Sequence, residues 1–61
     1  MIKNLPKRLR ALRKLKCMDN ENFAKFLGVS KDTLKNWLGG RFSPSIDHDY
    51  ELKELFEKEG V

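Results

Sequence analysis

The polar residues between Lys31 and Asn36 are of the types that recognise a nucleic-acid base edge. Lys31, Asp32, Lys35 and Asn36 recur at steps of three and four, with Thr33 beside them. On a helix such positions share one face, which gathers two cations, a carboxylate and an amide. Asn36 can bond N6 and N7 of adenine, a lysine can reach O6 and N7 of guanine, and Asp32 can accept from N4 of cytosine. Asp32 also falls where a first-turn acid favours the helix N-terminus, so two roles are open to it. Leu34, Trp37 and Leu38 take the opposite face. Trp37 is spaced with Leu34 as a core residue rather than as a stacking platform for bases.

Positioning that face is the task of Asn20–Leu38, which reads as two short helices hinged at Gly28-Val29-Ser30. Asp19 is placed to cap the first of them, with Met18 stapled onto Phe23. Phe23, Ala24, Phe26 and Leu27 form its apolar face, and Ala24 is small enough for a close helix crossing. Gly28 can take the left-handed conformation that ends a helix. Ser30 then caps the second helix, with Val29 stapled onto Leu34, and Gly39-Gly40 stops it. Two helices joined by a three-residue turn containing Gly are the local pattern of a helix-turn-helix.

Upstream, Leu5, Leu9, Leu12 and Leu15 recur at steps of four, three and three, which predicts a helix from Leu5 to about Lys16 with a leucine core stripe. Asn4 is its expected N-cap, and Pro6 sits harmlessly in the first turn. Between the leucines lie Lys7, Arg8, Arg10, Arg13, Lys14 and Lys16. That basic face is a solvated surface, a contact for the DNA backbone, or a membrane-surface helix. Since the stripe is needed to close a core, the last is the weakest of the three. Downstream, Gly39 to Ser45 reads as a loop with Phe42 as its anchor in the core. A last helix follows over about residues 46–59, capped by Ser45 or Asp47. Its Ile46, Tyr50, Leu52, Leu55 and Phe56 spread too widely for a single stripe, which leaves some of them over for an interface.

The chain has 61 residues and a net charge of +4, enough for one small domain of marginal stability. Residues 1–41 hold eleven Lys/Arg against three acids, and residues 42–61 hold two against six. A basic body with an acidic last third fits a polyanion met from one side. Enzyme chemistry lacks its parts: His48 and Cys17 are the only residues of their kinds, so no metal-ligand set is spaced correctly. None of the four glycines belongs to a phosphate loop. No catalytic residue, metal or cofactor is expected. The lone cysteine, the absence of a signal peptide and the absence of a long apolar run predict a soluble, cytoplasmic protein.

Phe23-Ala24, Leu27-Gly28-Val29-Ser30, Thr33-Leu34, Asn36-Trp37 and Gly40-Arg41 through Pro44 together resemble the phage repressor and Cro type of helix-turn-helix, the XRE-like family. The resemblance runs from about Leu5 to Leu55. It implies a compact, all-α, four-helix domain of the lambda-repressor or Cro kind, spanning residues 1–61. It also implies a sequence-specific transcriptional regulator, as a rule a repressor in a phage or mobile element, bound as a homodimer to double-stranded operator DNA. Lys31, Asp32, Thr33, Lys35 and Asn36 occupy the family's base-reading positions, while Asn20, Ser30 and Arg41 resemble its phosphate contacts. Ser30 is a cap first under either view. Where the family has Glu after Trp, this chain has Leu38. That Glu pairs with an arginine of the first helix, whose place the resemblance gives to Arg13. Without the Glu, Arg13 is expected to turn outward, as a further phosphate contact, or to be paired otherwise. The rival function is a protein-interaction module, such as an antitoxin or accessory subunit, docking a basic partner through the acidic last helix with Tyr50 and Phe56 as anchors.

Overall fold

The computed structural model describes residues 2–61. They form four helices, α1 (Leu5–Leu15), α2 (Asn20–Leu27), α3 (Lys31–Leu38) and α4 (Ile46–Glu59), and no strand among the described residues. The all-α architecture predicted from the apolar periodicity is therefore present. Leu5, Leu9 and Leu12 of α1 are buried against Phe23 and Ala24 of α2, Leu34 and Trp37 of α3, and Leu52 and Phe56 of α4, with Ile2 closing one end. α1 packs on both α3 and α4, and α2 packs on α3. Met18, Leu27, Val29, Leu38 and Leu55 line the margin of this core, half-buried.

Three helices start on the expected side-chain caps. Asp19 accepts from the Asn22 amide at 2.8 Å, Ser30 from the Thr33 amide at 3.1 Å, and Ser45, rather than Asp47, from the His48 amide at 3.4 Å. α1 departs from this. Asn4 lies in the left-handed region and makes no side-chain cap, because capping requires an extended backbone at that position. Pro6 also removes one of the amides a cap would serve.

All four helices stop in the same way, with a left-handed residue followed by a bond back to the carbonyl five residues before that closing amide. Met18 N–H reaches Arg13 O, Val29 reaches Ala24 O, Arg41 reaches Asn36 O and Val61 reaches Phe56 O, each at 3.0–3.1 Å. The left-handed residue is glycine at 28, 40 and 60, but Cys17 ends α1, at φ 55°.

Three apolar residues sit differently from expectation. Leu15 is 54% exposed: at about 100° per residue the last step of three carries it off the inward line. Lys16 continues that line instead, and its ammonium reaches Glu59 of α4 at 2.8 Å while lying over the Phe26 ring. Phe42 is 64% exposed rather than an anchor; it rests over a shallow hollow that Ile2, Pro6, Trp37 and Pro44 also line. Phe56 is 1% exposed, so it is core, with the Arg8 guanidinium over its ring, and cannot anchor a partner.

Candidate nucleic-acid interface

The turn Gly28-Val29-Ser30 fixes where α3 begins. The αL glycine reverses the chain, Val29 packs on the core, and Ser30 caps the next helix. Leu34 and Trp37 are buried, which locks the rotation of α3 about its axis and points the opposite face outward. Trp37 is thereby a packing residue, in edge contact with the His48 ring at 5.4 Å between centroids.

On the outward face, Asp32, Lys35 and Asn36 line one open cleft of about 650 Å³ together with Gly39 and Arg41. Lys35, Arg41 and Asp32 are exposed, and Asn36 is half-buried. The loop after α3 thus brings its arginine to the side chains of the helix face. Lys31 is exposed on the first turn of α3, outside the cleft lining, and Thr33 is half-buried. Thr33 Oγ1 accepts from Ser30 Oγ at 2.9 Å. The Ser30 hydroxyl is thereby committed twice, as acceptor for the Thr33 amide and as donor to the Thr33 hydroxyl. A phosphate at Ser30 would have to replace the second of these bonds. Asp32 has no such duty. Ser30 supplies the cap, and among the described residues the Asp32 carboxylate enters neither a side-chain hydrogen bond nor an ion pair.

Arg13 and Asn20, two separate candidates in the sequence, meet. Arg13 Nη1 donates to Asn20 Oδ1 at 2.5 Å across the start of α2. Arg13 is half-buried and paired through this amide, the second of the two outcomes expected for it. The pair keeps the Asn20 amide N–H groups and the remaining guanidinium donors, beside the positive end of the α2 dipole. The arginine that faces position 38 is Arg10, not Arg13: Arg10 Nη2 donates to the Leu38 carbonyl at 3.2 Å. A cation at the C-terminus of α3 satisfies one of its free carbonyls and complements the dipole. Nothing local in the sequence marks Arg10 for this contact, because its acceptor is a backbone carbonyl 28 residues away.

Among the described residues no group of three or more His, Cys, Asp and Glu is placed to hold a metal ion, and no helix is long and apolar enough to cross a membrane. Comparison with protein-family models, with curated proteins and with solved structures finds no match to the chain.

Proposed function

We propose that this chain is a sequence-specific, double-stranded-DNA-binding transcriptional regulator, built as a helix-turn-helix of the lambda-repressor or Cro kind. The observation that carries it is the single cleft formed by Asp32, Lys35, Asn36 and Arg41 on the outward face of a helix held by Leu34 and Trp37. In this account α3 enters the major groove, which is wide enough to admit a helix and presents a distinct pattern of donors and acceptors for each base pair. Lys31, Asp32, Lys35 and Asn36 then meet base edges, with Thr33 at the margin. Arg41 and the Arg13–Asn20 pair meet phosphates on either side, which sets register without reading sequence. One unit of this size buries little DNA, so tight binding calls for two copies on half-sites roughly 34 Å apart. Regulation by occupying an operator rests on the family resemblance.

Titration of the isotope-labelled protein with a short duplex, followed by amide NMR shifts, tests the docking face. The largest changes are expected at Asn20, Lys31 to Asn36 and Arg41, and they should shrink as salt rises. Changes centred on α4 instead would place DNA on the wrong surface and end the proposal.

A further inference from the structure

α4 has a second face that the core does not use. Leu52 and Phe56 point inward, while Ile46 is 88% exposed and Tyr50, one turn on, is 64% exposed. Ile46 and Tyr50 share an open hollow with Asp47 and Glu51. Glu51 also borders a smaller hollow of about 190 Å³ between α2, α3 and α4, walled by Phe26, Leu27, Trp37, Leu52 and Leu55 together with His48. Two apolar depressions thus flank one carboxylate.

The charges around them are unspent. Asp49 pairs with Lys53 at 3.3 Å and Glu59 with Lys16 at 2.8 Å. Asp47, Glu51, Glu54 and Glu57 are exposed and make no ion pair among the described residues. Glu54 follows Tyr50 by one helical turn, and this neighbouring carboxylate raises the phenol's pKa above the ordinary value. An apolar centre with a rim of one sign is the composition of a recognition patch, here for an opposite charge.

We propose that this face of α4 docks a basic protein segment, which seats an apolar side chain beside Tyr50 or in the Phe26–Trp37 hollow and sets lysines or arginines against Asp47, Glu51 and Glu54. DNA is excluded from it by charge. A second copy fits less well: its basic and acidic surfaces are unlike, so a contact between them is heterologous and lacks the self-complementarity of a two-fold dimer. The hollows on α4 share no lining residue with the α3 cleft, so both faces can be occupied at once and neither assignment depends on the other.

The test uses the full chain, isotope-labelled, and a synthetic amphipathic peptide of about four helical turns, with leucine on one face and lysine on the other. A glutamate-for-lysine version is the control. The basic peptide should shift the amides from Ile46 to Glu57 and the Trp37 indole. Tyr50→Ala and Glu51→Lys should each weaken it roughly tenfold or more, as loss of one anchor does, while Lys14→Ala on α1, exposed and lining neither hollow, should leave it nearly unchanged. Glu51→Gln replaces Glu51→Lys if the charge reversal disturbs folding. Four results would overturn the proposal: equal binding of the acidic peptide, shifts elsewhere, binding indifferent to Tyr50→Ala, or the same residues shifting with protein concentration alone. The last would assign the face to a second copy.

Discussion

Asp32 is the residue on which recognition and stability separate most cleanly. With Ser30 as the cap of α3, the Asp32 carboxylate contributes to the helix only through the dipole, about 0.3–1 kcal/mol at an exposed position. Opposite DNA it would be repelled by phosphates, so it weakens binding to every sequence except one that offers a donor, such as N4 of cytosine. Asp32→Asn should therefore bind arbitrary duplexes several-fold more tightly while losing preference at one base pair, worth about 1–3 kcal/mol. Competition binding against single-base variants of a selected site measures both. Weaker binding to arbitrary duplexes would mean that the carboxylate does not face the DNA. At this scale the sequence was informative about residue type and less so about partners. The outward polar set of α3 followed from periodicity, whereas the Arg13–Asn20 and Arg10–Leu38 contacts join residues of different helices, and the pattern of one helix does not encode them.

The helices were legible wherever their boundaries are set by local chemistry. Asp19, Ser30 and Ser45 begin α2, α3 and α4, and glycines 28, 40 and 60 end them, because caps and left-handed stops act over a few neighbouring residues. α1 escaped at both ends, since Asn4 and Cys17 take positive φ without being glycine. A left-handed residue with a Cβ carries about 1–2 kcal/mol of strain, part of which a glycine gives back as unfolded-state entropy. Cys17→Gly should accordingly raise stability by roughly 0.5–1 kcal/mol with no change in the outward face of α3. Urea unfolding followed by circular dichroism checks it, and a loss of stability would show that the thiol supports the turn. Leu15 and Lys16 exchanged their expected places for a different reason: a short stripe drifts around the helix, and the element packed against its far end decides which residue is inward.

At the scale of the whole molecule, a chain of this size has roughly 3–9 kcal/mol of stability to lose. Phe56 sits at the centre of the α1–α4 contact, and Phe56→Ala costs about 3–5 kcal/mol. The thermal midpoint of that variant, followed by the helical signal, should fall steeply, whereas Tyr50→Ala should leave it almost unmoved. A Phe56→Ala variant as stable as the parent would refute the packing described for α4. The two aromatic residues looked alike in sequence because the apolar positions of α4 wind around the helix; only its docking on α1 sorts one inward and one outward. The charge division was plain from composition, and the structure adds which acids remain unpaired. The most direct test of the central claim is selection from a random duplex library at near-physiological salt, with Asn36→Ala alongside the parent. A DNA reader predicts an enriched motif, repeated as a palindrome with half-site centres about one helical turn apart, that loses definition at one base pair in the variant. Binding without any enriched motif, vanishing as salt rises, would contradict it.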